Sequence, residues 1–331
     1  MPIIILAIES SCDDTSASVI SDGKILSNLV AGQKVHEAFG GVVPELASRA
    51  HQANILPVVD LAIKNAGISL SGLSAIAFTQ SPGLIGSLMV GCSFAKSLAQ
   101  SLNIPIIGVH HMHAHVLAHF IDDPKPSFPF LCLTVSGGHT QIVLMRDYFD
   151  FEIIGKTLDD AAGEAFDKAA KILNLPYPGG PLIDKYSVGG NPHKYEFAKP
   201  DISDLNYSFS GLKTSFLYFV REQVKDNPNF VNENLSDICA SMQQSIIYHL
   251  MKKLVKASNL TGIKQIALAG GVSANSALRK AVESEGQKQA WQTFVPAFEY
   301  CTDNAAMIAI AAHYKYLKSD FESMEVSPSA R

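Results

Sequence analysis

Ile3-Ile-Ile-Leu-Ala-Ile-Glu-Ser-Ser-Cys-Asp-Asp-Thr15 begins as an apolar run and breaks abruptly into small, acidic and hydroxyl side chains. A short continuous apolar run suits a strand buried on both faces. Ser16 to Ile20 then reads as a returning strand, and Ser21-Asp22-Gly23 as a hairpin turn. The same grammar recurs in the second half. Phe130-Leu-Cys-Leu-Thr-Val135 is an apolar strand, Ser136-Gly-Gly-His-Thr140 a small-residue turn, and Gln141 to Met145 a returning strand. Two such copies predict a duplicated α/β architecture, one domain per copy, with facing loops at a central cleft. The expected division is 1–121 for the first lobe and 122–331 for the second, with the final helix packing back toward the first lobe. Pro124, Pro126 and Pro129 mark the linker over 122–129.

Helical spacing of apolar positions runs from Ser48 to Ala66, with Pro57 as an expected kink or break. Ser74 to Thr79 reads as a strand, and Gln80-Ser-Pro-Gly-Leu-Ile-Gly-Ser87 as a glycine-containing loop feeding a helix toward Leu102. Such a loop can hold an anion on backbone amides, or can simply be a tight strand-to-helix connection. The Ala-rich stretch Thr157 to Leu173 predicts a helix, and residues 202–260 are mostly helical in pattern with a break at Asp226-Asn-Pro-Asn229. Ile263 to Ala269 reads as a strand, Gly270 to Asn275 as the opening of a helix, and Ala305 to Leu317 as the last helix. Gly155-Lys156-Thr157 imitates the tail of a P-loop, but Asp150 occupies the position where that motif needs glycine.

The 331 residues are 47 % hydrophobic and 17 % charged, a globular composition able to bury large cores. Met1 to Ile8 leads straight into Glu9, which is not a secretory leader, and no run of apolar residues is long enough to span a bilayer. A cytoplasmic location is therefore expected. The 5 cysteines are scattered and form no C-x-x-C pair, which excludes a disulfide framework and a cysteine metal cage. A net charge of −5 supplies no overall basic field, so a nucleic-acid partner would need a local patch or a helper protein.

Of the 11 histidines, five crowd into His110-His-Met-His-Ala-His-Val-Leu-Ala-His119. On a helix His111 and His115 share one face, as do His115 and His119. Imidazoles four apart can converge on one divalent transition metal, with at least one further ligand drawn from elsewhere in the chain. The spacing also imitates the zinc-protease helix. That motif requires Glu directly after the first histidine as general base, and here Met112 follows His111.

Ten stretches together resemble one family. They are Glu9–Thr15, Gly40-Gly-Val-Val-Pro-Glu-Leu-Ala-Ser-Arg49, Ser81-Pro-Gly-Leu84, His110-His-Met112 with His115, Val135-Ser-Gly-Gly-His-Thr-Gln141, Asp159-Asp-Ala-Ala-Gly-Glu-Ala-Phe-Asp-Lys168, Tyr177-Pro-Gly-Gly-Pro181, Phe209-Ser-Gly-Leu-Lys-Thr214, Gly270-Gly-Val-Ser-Ala-Asn275 and Cys301-Thr-Asp-Asn304. In this order, across the whole chain, they resemble the bacterial TsaD family, once described as O-sialoglycoprotein endopeptidases. The resemblance implies an actin-like (ASKHA) fold of two ribonuclease-H-like halves. It implies transfer of a threonylcarbamoyl group from threonylcarbamoyl-AMP to N6 of the adenosine at position 37 of tRNAs that read codons beginning with A, with release of AMP.

The resemblance also implies site residues. One iron or zinc ion would be held by His111, His115 and Asp303; taken alone, Asp303 reads instead as the N-cap of the last helix. Thr134, Val135, Ser136, Gly137 and Gly138 would meet the phosphate or carbamoyl region, Asp167 and Asp184 the ribose hydroxyls, Gly180 the nucleoside, and Asn275 the base or ribose. Without the family, Asp167 reads as a helix-surface partner of Lys171, Asn275 as a cap, and the two glycines as a hairpin turn. Asp13 and Asp14 are the candidates for accepting the amine proton, directly or through water; their plainer reading is a turn-forming pair. Relatives often carry Glu where this chain has Asp14. Implied partners are tRNA, a shorter paralogue (TsaB) forming a heterodimer through helices of the first half, and a P-loop ATPase (TsaE). Lys168, Lys171, Lys213, Arg279 and Lys280 are candidates for a tRNA surface. The rival readings are an actin-like ATPase or scaffold subunit and a metalloendopeptidase.

Overall fold

The computed structural model describes residues 1–199 and 202–330, which fall into two compact units: 1–125 with 297–331, and 126–296. In the first unit the opening apolar run is strand β1 (Ile4–Glu9), buried along nearly its whole length. β2 (Thr15–Ser21) returns antiparallel to it, and β3 (Lys24–Ala31) returns against β2. The turn between β2 and β3 is Asp22-Gly23, with φ of 47° and 82°, the left-handed pair that a two-residue hairpin needs. Helix α1 (Pro44–Ala66) follows, with proline in its first turn and Gly67 at φ 67° closing its end.

α1 differs from expectation: it starts at Pro44 and passes through Pro57 as one helix. Pro57 forfeits the hydrogen bond its amide would give four residues back. Burial of Ile55, Val59, Ala62 and Ile63 in the core under β2 and β3 offsets that loss. Then come β4 (Ala75–Ser81), α2 (Ile85–Leu102), β5 (Ile106–His110) and the short α3 (His111–Leu117). The sheet order is β3-β2-β1-β4-β5, with β1, β4 and β5 parallel.

The second unit repeats this plan. β6 (Phe130–Val135), β7 (Thr140–Met145) and β8 (Phe151–Lys156) form the antiparallel part. Four helices follow: α4 (Ala162–Ile172), α5 (Gly180–Ser187), α6 (Ser210–Asp226) and α7 (Phe230–Thr261). β9 (Gln265–Ala269), α8 (Ser276–Gln289) and β10 (Gln292–Phe294) complete a sheet ordered β10-β9-β6-β7-β8. Strand for strand this is the first sheet again, with β9 parallel to β6 as β4 is to β1.

The helix expected from Thr157 begins only at Ala162. The residues before it are committed elsewhere. The Asp159 carboxylate accepts from the Phe209 amide at 2.8 Å and from the Ser208 and Ser210 hydroxyls, while Asp160 pairs with Lys168 and Lys213, each at 2.9 Å. This acidic turn ties the start of α6 to the start of α4.

The last segment also departs from the division at 121/122, since 297–331 belongs to the first unit. Its helix α9 (Ala305–Leu317) packs on β1, β2 and β3, burying every residue from Ala305 to Ala312. Small side chains allow that close approach. Its first free amides are taken by side chains of the sheet: Ser16 Oγ accepts from Ala305 at 2.7 Å and Asn28 Oδ1 from Ala306 at 3.2 Å.

Candidate functional site: a His-His-Asp centre and a glycine-lined pocket

β5 ends at His110 and α3 starts at the next residue, so His111 and His115 project from consecutive turns of one short helix. Both are buried, with ring centroids 4.7 Å apart and planes nearly perpendicular. Asp303 reaches them from the residues just before α9. Its Oδ1 stands 3.4 Å from His111 Nε2 and 3.2 Å from His115 Nε2. Asp303 does not cap α9; Asn304 does, its Oδ1 accepting from the Met307 amide at 3.1 Å. The neighbouring residue thus leaves the aspartate available as a ligand.

Behind His111 lies a residue to which the sequence assigned no role. Glu9, the last residue of β1, is fully buried and places Oε2 3.0 Å from His111 Nδ1. The same oxygen accepts from Thr79 Oγ1 at 2.6 Å, and Oε1 from the Ser11 amide at 2.5 Å. Ser11 Oγ lies 3.2 Å from His111 Nδ1. A carboxylate here holds the proton on Nδ1, so that Nε2, on the side of Asp303 and His115, is the nitrogen that would exchange its proton for a metal, the usual support of a metal-binding histidine. An acidic residue at the end of a buried strand was the available signal.

Burial opposes charge on all of these groups, yet the pairing outweighs it on most. The charges of Asp303 and Glu9 hold the His111 imidazole well above its ordinary value despite burial. The His111 charge and hydrogen bond keep the Glu9 and Asp303 carboxyls below theirs, again against burial. His115 is held low by burial, and its Nδ1 is buried with no hydrogen-bond partner. One nitrogen or oxygen from each of His111, His115 and Asp303 lies within 4.8 Å of the others, and two imidazoles with a carboxylate suit a divalent transition metal.

Asp13 and Asp14 sit at the tip of the β1–β2 turn, both partly exposed. Burial, followed by the charges of Asp303, Asp13 and Glu9, pushes the Asp14 carboxyl up to about 7. Such a group accepts a proton near neutrality.

In the second unit, a cavity of about 310 Å³ brings together Gly137, Asp167, Gly180, Asp184 and Asn275 with Gly163, Phe166, Pro178, Pro181, Gly271, Val272 and Ala274. A side chain on Gly137 or Gly138 would meet no protein atom within 4 Å, so the turn edge is open space. Thr134 and Val135 differ from these, since both are fully buried in β6. Ser136 closes the turn by accepting from the His139 amide at 3.0 Å. Gly163, which the sequence did not single out individually, makes the turn possible: a Cβ there would stand 2.5 Å from the Ser136 carbonyl oxygen.

The Asp167 carboxylate turns toward backbone, accepting from the Gly179 and Gly180 amides at 2.8 and 3.1 Å. Burial nonetheless raises its pKa. Asp184 accepts from the Ser276 amide and hydroxyl at 3.0 and 2.9 Å. Asn275 caps α8 through Oδ1, which accepts from Leu278 at 2.9 Å, and donates from Nδ2 to Gln243 Oε1 at 2.7 Å. Of the basic candidates, Lys168 and Lys213 are held by Asp160, and Arg279 donates to the Ser273 and Pro296 carbonyls at 2.7 and 2.8 Å.

Residues 24–310 match the family model described as TsaD: tRNA N6-adenosine threonylcarbamoyltransferase. The chain is 62 % identical over 330 residues to the tRNA N6-adenosine threonylcarbamoyltransferase of Christiangramia forsetii, covering 99 % of this chain and 97 % of that protein. It is 60 % identical over 331 residues to the protein of that name in Riemerella anatipestifer, with the same coverage. Among solved structures it is similar to Acidaminococcus fermentans (R)-2-hydroxyglutaryl-CoA dehydratase component A, at a TM-score of 0.56 and 15 % identity, covering 96 % of this chain and 99 % of that one. That likeness concerns the fold alone, and with the two matching sheets it makes the architecture the duplicated actin-like (ASKHA) one. The chain belongs to the TsaD family, the tRNA N6-adenosine threonylcarbamoyltransferases.

Proposed function

We propose that the donor is threonylcarbamoyl-AMP, that the acceptor is N6 of the adenosine at position 37, and that His111, His115 and Asp303 hold one divalent ion, iron or zinc. The observation that carries this reading is the convergence of the three donor atoms within 4.8 Å, with Glu9 behind His111. When bound, such an ion supplies Lewis acidity to a carbonyl or carboxylate of the donor. The remaining chemistry falls to the chain.

The second unit's cavity takes the nucleotide half. Gly137, Gly138 and Gly180 offer backbone without side-chain obstruction, Asp167 and Asp184 face ribose hydroxyls, and Asn275 offers its remaining N–H to ribose or base. In the transfer, the adenosine nitrogen forms a bond to the carbamoyl carbon and the bond from that carbon to the phosphate oxygen breaks, releasing AMP. The exocyclic amine is a weak nucleophile and must lose a proton. Asp14, with Asp13 beside it, accepts that proton directly or through water. Thr134 and Val135 serve as the buried strand that carries the turn.

A TsaB-like paralogue docks on α1 and α2, where Leu56, Leu61, Ile85 and Met89 are exposed. A TsaE-like ATPase completes the assembly, and reaction takes place in the cytoplasm. Among the described residues no helix is long and apolar enough to cross a membrane.

Metal analysis of the purified protein tests the centre. Wild type should retain one equivalent of iron or zinc per chain, and His111→Ala and Asp303→Ala should lose it. Equal metal content in all three proteins would refute the assignment.

A further inference from the structure

The motif that opens α1 and the Ser81–Leu84 motif are not accounted for by the metal centre or the pocket. The second leads to the β1–β2 turn, and so does His51, two residues past the end of the first. His51, on the second turn of α1 and fully buried, grips that turn with both ring nitrogens. Nε2 lies 3.0 Å from the Cys12 carbonyl oxygen, which can only accept, so the proton is on Nε2. Nδ1 is then the acceptor, and Thr15 Oγ1 donates to it at 2.8 Å. Burial keeps the ring neutral, as this pattern requires.

One imidazole therefore holds the residues on either side of Asp13 and Asp14. The N-terminal side of the turn is also secured from α2. Ser87 Oγ donates to the same Cys12 carbonyl at 3.1 Å, and the Leu84 amide donates to the Ser11 carbonyl at 2.7 Å. Gly83 lets these chains meet, since a Cβ there would stand 2.5 Å from the Ser11 oxygen. Among the described residues the hydroxyl of Thr15, beyond the acidic pair, is bonded to His51 and not to α2.

We infer that His51 is a positioning residue for threonylcarbamoyl transfer, joining the Cys12 carbonyl to the Thr15 hydroxyl on either side of the Asp13-Asp14 pair so that its carboxylates meet the acceptor amine. The inference rests on the reading of that pair as the proton acceptor. A rigid clamp matters because misplacing a catalytic group by about 1 Å can cost about 100-fold in rate.

The test is single-turnover transfer by the full-length chain with its paralogue and ATPase partners, threonylcarbamoyl-AMP and unmodified tRNA. Wild type is compared with His51→Gln, Thr15→Val, Asp13→Asn and Asp14→Asn. His51→Gln should lower the rate at saturating donor by about 10- to 100-fold, and Thr15→Val by about 10-fold. Donor KM, bound metal and melting temperature should stay near wild type in both, a split that general loosening of the fold would not give. If His51→Gln fails to fold, Thr15→Val decides. Full rate in Thr15→Val and His51→Gln, with the aspartate variants impaired, would overturn the clamp alone. Full rate in both aspartate variants would overturn the proton-acceptor reading and the clamp with it. Loss of metal or donor affinity in step with the rate would also overturn it, by making His51 a general support of the fold.

Discussion

At the scale of single residues, the His-His-Asp centre leans on a carboxylate outside its three candidate ligands. Glu9 is fully buried and spends its oxygens on His111, Thr79 and Ser11. Glu9→Gln keeps the shape but removes the charge that holds the Nδ1 proton. Metal affinity should fall about 10- to 100-fold, read by competition with a chelating indicator, while the chain stays folded. Unchanged affinity would show that Glu9 is only a core residue. Asp14 gives a second prediction. Its carboxyl is raised above the ordinary 3.8 to about 7, so the folded state prefers it protonated. Below that value the group is neutral and cannot accept a proton. The transfer rate should therefore climb with pH through an acid limb assigned to Asp14, and Asp14→Asn should abolish that limb. Stability has the opposite sign: above pH 7 the fold carries an unfavourable charge, and Asp14→Asn should raise the melting temperature there. A cation bound at Asp303 offsets one of the repelling charges, so loading metal should move the limb to lower pH.

At the scale of elements, the site hangs on helix ends. α3 begins where β5 stops, and α9 begins where Asp303 must point, so its capping matters to the centre as well as to the helix. Asn304→Ala should cost about 1 kcal/mol in denaturant unfolding, with metal affinity weakened in parallel as Asp303 loses its fixed neighbour. Unaltered stability would mean the cap is dispensable. These elements also show what could be read in advance. The two strand–turn–strand units are local patterns, and the structure repeats them strand for strand. His111 and His115 were visible because helical spacing is local too. Asp303 lies 188 residues from His115, and only the family resemblance joined them. Glu9 and His51 act through tertiary contacts of 102 and 39 residues' separation, which no periodicity encodes. The Ala-rich stretch from Thr157 has good helix formers, but Asp159 and Asp160 are taken by the start of α6, so tertiary bonds overrode propensity.

At the scale of the whole molecule, duplication places one polar turn at the end of β1 and its counterpart at the end of β6, and the two have diverged in chemistry. The first became acidic and lies beside two histidines; the second became Ser-Gly-Gly and borders a cavity. The three candidate metal ligands all belong to the first unit, so metal removal should act on that unit. Chelation should lower the melting temperature, since a ligand at about 100 times its Kd stabilises by about 2.7 kcal/mol. His111→Ala should melt at the chelated value with or without added metal. The most direct measurement is single-turnover incubation of the metal-loaded chain and its partners with threonylcarbamoyl-AMP and unmodified tRNA, with modified adenosine read by mass spectrometry. Wild type should form the threonylcarbamoylated nucleoside at position 37 with one AMP released per transfer, and His111→Ala should form none. Formation by His111→Ala at the wild-type rate, or none by wild type with active partners, would contradict the account.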